Sequence, residues 1–201
     1  MGRRMMQRRH FLMTSFTAVP ELPEWDLTWD TGSGLPEDGA FTVTIHGTSA
    51  GESMQDDGLL LYADGDDYIL LEPPQITRTY GEVELELTAL RLSAANGFRI
   101  LLSNGTYGAQ LFLRAEGLLY SAGESGETAS LIQIAEASAF LNRRVILRLQ
   151  FTPDGNTVWL NGEQIYQSTE MSMYYCTANR IFQQSGGKTL LHSVKYRFRP
   201  V

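Results

Sequence analysis

Beyond about residue 25, apolar and polar residues alternate with a period of two along much of the chain, the mark of half-buried β-strands. The clearest stretch is RRVILRLQFTPDGNTVWLNGEQIYQ, residues 143–167. Val145, Leu147, Leu149 and Phe151 fall on one face, and Arg144, Ile146, Arg148 and Gln150 on the other. At PDGN (153–156) Pro153 presets φ for a turn and Gly155 tolerates a positive φ. A strand from Thr157 to Leu160, with Trp159 assigned to the core, then meets Asn161-Gly162, a dipeptide suited to a type I′ hairpin turn. Glu163 to Gln167 completes a three-stranded meander.

The same period organises the rest of the chain. Trp25 to Trp29 predicts an opening strand, and AFTVTIH (40–46) a second with Phe41, Val43 and Ile45 on one face. GTSAGESMQDDG (47–58) reads as a polar loop, and LLLYADGDDYILLEP (59–73) as two short strands joined by an Asp/Gly hairpin turn. GEVELELTALRLS (81–93) sends Val83, Leu85, Leu87 and Ala89 inward and Glu82, Glu84, Glu86 and Thr88 outward. FRILLS (98–103) and YGAQLFLRAEG (107–117) pair through Asn104-Gly105, followed by a short strand to Tyr120 and a polar loop over 121–129. SLIQIAEASAFLN (130–142) fits either a continuing strand or a helical turn. KTLLHSVKYRFRP (188–200) alternates again, with Leu191, Val194, Tyr196 and Phe198 around a register change. Roughly a dozen short strands with almost no helical period predict an all-β, antiparallel two-sheet sandwich or a barrel.

Composition changes the picture at the N-terminus. Pro20 and Pro23, beside Glu21 and Glu24, oppose regular structure and set off an arm and linker (1–24) from one β domain (25–201). Arg3, Arg4, Arg8 and Arg9 are a quarter of the chain's 16 basic residues. RRHFL (8–12) resembles a twin-arginine signal, yet Thr14, Ser15 and Thr17 interrupt the apolar stretch and no A-x-A site follows. The expected role of the arm is docking onto an acidic or apolar neighbour. The net charge of −7 argues against nucleic acid as a partner, and no apolar run reaches the roughly 18–20 residues that span a bilayer. The single cysteine, Cys176, excludes an intrachain disulfide and reads as a buried structural thiol.

Candidate chemistry is sparse. Asp56, Asp57, Asp64, Asp66 and Asp67 could offer oxygens to Ca²⁺, but Asp and Gly also dominate tight turns, and turn chemistry is the preferred reading. His10, His46 and His192 lie too far apart in sequence for metal-ligand spacing. G-x-S-x-G and phosphate-cradling motifs are missing, and SGGKT (185–189) reads as a loop before the last strand. No cofactor or metal is expected. Trp25, Trp29, Tyr107, Tyr174 and Tyr175 fall in or beside predicted loops and edges, where aromatic rings serve as stacking platforms for sugars.

LLLYADGDDYILL (59–71), GEVELELTALRL (81–92), RVILRLQFTPDGNTVWLNGEQIY (144–166) and the closing TLLHSVKYRF (189–198) together resemble the concanavalin A-like jelly rolls, specifically the laminin-G-like group. The resemblance covers about residues 25–200 and implies two antiparallel sheets packed face to face, one concave, with loops at the rim. The basic GRRMM…RR opening before such a domain resembles structural proteins of phages and prophages of gut bacteria. That resemblance implies a non-enzymatic virion component, a capsid decoration or a tail or fibre protein. Arg3, Arg4, Arg8 and Arg9 would then attach it to other virion proteins or to copies of itself, and the jelly roll would engage surface glycans. An exported, extracellular carbohydrate-binding protein is the alternative. A third reading compares Glu82, Glu84 and Glu86 with laminarinase-type glycoside hydrolases, whose retaining mechanism uses two carboxylates about 5–5.5 Å apart. Tyr80, Gly81 and Thr88 depart from that family's flanks, and a half-exposed structural strand is the preferred reading.

Overall fold

A computed structural model describes residues 25–39, 41–74, 78–104, 106–124, 130–152, 154–169 and 178–200, and fifteen strands lie among them. The first eight are β1 (Leu27–Asp30), β2 (Thr42–His46), β3 (Ala50–Gln55), β4 (Gly58–Ala63), β5 (Tyr68–Glu72), β6 (Arg78–Arg91), β7 (Phe98–Ser103) and β8 (Tyr107–Arg114). There follow β9 (Gly117–Glu124), β10 (Ile132–Glu136), β11 (Arg144–Thr152), β12 (Gly155–Leu160), β13 (Glu163–Ser168), β14 (Ala178–Gln184) and β15 (Gly187–Pro200). An eight-stranded sheet runs β13-β12-β11-β6-β15-β4-β3, with β1 also paired to β15. A seven-stranded sheet runs β10-β9-β8-β7-β14-β5-β2. The ladders are antiparallel, and the two sheets form a concanavalin A-like β-sandwich of jelly-roll type.

Alternation explains the packing. Val83, Leu85 and Leu87 of β6 and Leu147, Leu149 and Phe151 of β11 enter one core with Ile69, Leu71, Ile100, Leu102, Leu111 and Ile181 of the opposite sheet. Each such side chain removed from water contributes about 1.5–3 kcal/mol. The meander of β11, β12 and β13 forms as the pattern predicts, and Asn161 and Gly162 turn it with φ of 51° and 85°. The Asn161 side chain locks the entry, its Oδ1 accepting from Ile146 N at 2.9 Å.

Two consecutive strands occupy the middle of the two sheets. β14 lies between β7 and β5, and β15 between β6 and β4. The SGGKT segment, read as a loop, is instead a two-residue turn at Ser185-Gly186 that carries the chain from one sheet to the other, with β15 already begun at Gly187.

Other expectations change. Residues 47–58 hold β3, a strand of small and polar residues whose order comes from its backbone ladder to β4 and leaves no apolar period. The Asp64–Asp67 segment is no hairpin turn, because β4 and β5 belong to different sheets and their apolar faces meet across the core. The strand after Gly117 runs on to Glu124, and the ambiguous 130–142 stretch divides into β10 and a 3₁₀ turn at Ala137–Ala139. Ile45 is 47% exposed at the free edge, whereas Phe41 is buried.

Candidate ligand-binding face

Both sheets have an outer face, and the two differ in chemistry. On the eight-stranded sheet, Glu82, Glu84 and Glu86 of β6 point outward as predicted, and flanking strands supply a cation to each. Lys195 Nζ lies 3.0 Å from Glu84, and Arg144 Nε lies 2.6 Å from Glu86. Arg148 Nε approaches Glu82 at 2.6 Å, close but misaligned for a hydrogen bond, and Arg197 lies 3.6 Å away. Arg144's hydrogen bond holds the Glu86 carboxyl below the usual carboxylate range. Trp159, placed in the core by its sequence context, is instead half-buried on this outer face under the Arg148 guanidinium at 4.5 Å, because Arg148 stands directly across the ladder from it. The face is a ladder of neutralised charges.

The outer face of the seven-stranded sheet is built otherwise. Ile69, Leu71, Ile181, Ile100, Leu102, Leu111 and Leu113 turn inward, so the residues between them turn out. Register aligns Thr44, Leu70, Phe182, Arg99, Phe112, Leu119 and Gln133 in one row across all seven strands. The Arg99 guanidinium carbon sits 4.1 Å from the Phe182 ring centroid and 5.7 Å from that of Phe112. Arg114 covers Phe112 from the other side at 4.6 Å. Tyr68 meets Phe182 edge-on at 6.4 Å and stacks on His46 at 4.9 Å with the planes 3° apart. From β2 to β8 this strip of rings and guanidiniums spans about 19 Å, four interstrand spacings.

The strip is cationic in an acidic protein. Arg180 pairs with Glu72 at 2.7 Å, and Arg114 meets Glu116 at 3.8 Å. Arg99 Nε is buried without an acceptor, and its guanidinium has no carboxylate among the described residues. Burial first, and then the cations of Arg180 and Arg114, push Arg99 below its ordinary pKa, though an arginine stays protonated in such surroundings. The rings and the arginine stems cover one another, which is why Phe112 and Phe182 are only 8% exposed on an outward face.

The five aromatic candidates do not converge on this strip. Trp25 lies beside the eight-stranded sheet with Arg197 4.4 Å from its ring. Trp29 is 3% exposed in the core, its Nε1 donating to Gly34 O at 3.0 Å, so it offers no stacking face. Tyr107 starts β8, packs partly against the core and follows an Asn104 Asx turn. Tyr174, Tyr175, Cys176 and the arm residues Arg3, Arg4, Arg8 and Arg9 lie outside the described residues. Among the aspartates read as turn formers, Asp64 pairs with Arg91 and Asp67 accepts from Ser49 N at 2.7 Å. Among the described residues no three His, Cys, Asp or Glu side chains converge as a metal site, and no helix is long and apolar enough to cross a membrane. His192 is 4% exposed, with Thr88 Oγ1 and Asp57 O as its hydrogen-bond partners.

Sequence reasoning missed Arg99, Phe112, Phe182 and Tyr68. The local alternation of FRILLS does mark Arg99 as outward. Its neighbour Phe182 arrives from β14, far along the chain, so only the strand order assembles the strip.

By sequence, the chain matches no protein-family model and no curated protein. By structure it is similar to many solved chains. The carbohydrate-binding module CBM66 from Bacillus subtilis shares 15% identity over 77% of this chain and 94% of that one, with a TM-score of 0.57. The exoplasmic/lumenal domain of VIP36, solved with Ca²⁺ and Man3GlcNAc, shares 11% over 81% and 85%, with a TM-score of 0.58. A chain from work on endo-acting O-glycanases of human gut microbiota that initiate mucin breakdown shares 6% over 88% and 100%, with a TM-score of 0.66. Identities this low establish a common fold and nothing finer.

Proposed function

We propose that this protein is a non-enzymatic carbohydrate-binding module displayed on a phage particle, with the outer strip of the seven-stranded sheet as its saccharide platform. The observation that carries the reading is the strip outside the core where the half-buried Tyr68 ring and the Arg99 guanidinium lie on either side of Phe182, on a sandwich that carbohydrate-binding modules and lectins share. Aromatic rings flanked by planar donors suit a sugar, which has apolar C–H faces and a rim of hydroxyls. Support for a non-enzymatic role comes from the other face, where Glu82, Glu84 and Glu86 are each tied to a cation. A general acid needs a pKa raised towards neutrality, and Glu86 is moved the other way.

The particle role rests on the sequence: an acidic body behind a basic arm carrying Arg3, Arg4, Arg8 and Arg9. Glycan-array binding of the full chain tests the first half. Retention on a defined set of saccharides, weakened about five- to thirtyfold by Tyr68→Ala, is expected for a stacking contact of about 1–2 kcal/mol. Binding to no saccharide, or binding indifferent to that substitution, overturns it. Light scattering of the full chain beside a form lacking residues 1–24 tests the second half. Assembly or particle association of the full chain alone is expected, and identical monomers in both cases overturn the attachment role.

A further inference from the structure

We infer that the strip selects anionic saccharides, with the Arg99 guanidinium receiving a carboxylate or sulfate of the sugar. The inference rests on the glycan-binding reading and names its ligand class. Among the described arginines with restricted solvent access, Arg148 and Arg197 meet Glu82, Arg180 meets Glu72, and Arg114 meets Glu116. Arg99 alone of this group has no carboxylate, although it lies mid-sheet between two phenyl rings that exclude water from its flanks. A guanidinium desolvated without an anion is costly, and a planar bidentate oxyanion is its natural complement.

The local charge sets the size of the ligand's charge. Three guanidiniums, those of Arg99, Arg114 and Arg180, face two carboxylates, Glu72 and Glu116, which leaves one positive charge among these five groups. One acidic group per binding register fits that balance. A polyphosphate chain does not, and the net charge of −7 repels it at long range. The half-buried Tyr68 ring, edge-on to Phe182, supplies apolar contact near the anion, which a bare inorganic ion cannot use. Leu101, Gln110 and Ser121 continue outward in the adjacent row, so polar donors lie next to the aromatic ones.

The test is calorimetric titration of the full chain with three sugars on one core: lactose, 3′-sialyllactose and 6′-sulfolactose. At low salt at least one acidic sugar should bind about tenfold more tightly than lactose, the worth of a good charge-assisted pair. Whichever acid is preferred identifies the group, and the advantage should shrink as salt rises. Arg99→Gln should erase the advantage, so that on that variant the acidic sugars bind no more tightly than lactose, while Arg99→Lys should recover only part, having charge but no planar fork. Arg144→Gln, on the opposite face, should change nothing. Should Arg99→Gln fail to fold, the three sugars on the unmodified chain still decide. Equal affinity for lactose and both acids overturns the anionic selectivity and leaves the glycan reading standing. Binding of none of the three, on a chain that also captures nothing on an array, overturns both.

Discussion

Asn156 Nδ2 donates to Tyr120 Oη at 2.9 Å, joining β12 of one sheet to β9 of the other inside the sandwich. Both residues are 2% exposed, and the Tyr120 ring also rests against Tyr166 at 4.6 Å. Removing one partner of such a pair strands a buried amide, which costs about 1–3 kcal/mol. Tyr120→Phe should therefore lower the unfolding free energy measured by urea titration by that much. Adding Asn156→Leu should cost less than the two single changes together. A neutral Tyr120→Phe would show that the bond contributes nothing to holding the sheets together.

Glycine positions separate crowding from backbone strain. A Cβ at Gly81, mid-sheet in β6, would overlap the Phe151 ring, which is fully buried. At Gly162 there is open space and a φ of 85°. Gly162→Ala should cost about 1–2 kcal/mol from the left-handed backbone alone. Gly81→Ala should cost about 1–3 kcal/mol from overpacking, and a Phe151→Leu partner should recover part of it. Rescue at Gly162 by the same partner would contradict the assignment.

The Glu52 carboxyl is pushed up to about 7, by burial first and then by the adjacent Glu37 carboxylate and its hydrogen bond. The folded chain thus keeps a proton that the unfolded chain releases above its ordinary value of 4.5. The associated stability is fully present below that value and is lost as pH rises through about 7. Unfolding midpoints should fall between about pH 5 and pH 8, and Glu52→Gln should flatten that fall. An unchanged slope in the variant would assign the effect to other groups.

The outer glutamates make opposite predictions for chemistry and for stability. Incubation with laminarin should release no reducing ends, and Glu84→Gln should leave glycan binding as it was. Arg148→Ala should cost roughly 3 kcal/mol, since it removes the 2.6 Å guanidinium contact of the buried Glu82 carboxylate. Release of reducing ends that Glu84→Gln abolishes would restore the hydrolase reading.

Strand positions were legible wherever one face meets the core and the other meets water. β6 and β11 announce themselves through Val83, Leu85, Leu147 and Leu149, and Asn161-Gly162 announces its turn through backbone preference. Which sheet a strand joins is a non-local decision, so Asp64-Gly65 reads the same as a hairpin turn or as a crossover. Trp159 follows the apolar Val158, and only the register with Arg148 shows which of the two turns outward. The outer strip was invisible for the same reason: its rings lie on β5, β8 and β14, whose order within the sheet no local pattern records.

The mid-sheet placement of β14 and β15 bears on how the protein is made. As the ribosome releases the chain, β13-β12-β11-β6 and β4-β3 can pair early, yet they stay unjoined until β15 emerges. In the other sheet β7 and β5 wait likewise for β14. Before then four strands hold open backbone edges, for which foreign strands compete. Emergence of β14 and β15 should be the moment at which nascent chains of this protein cease to need a chaperone.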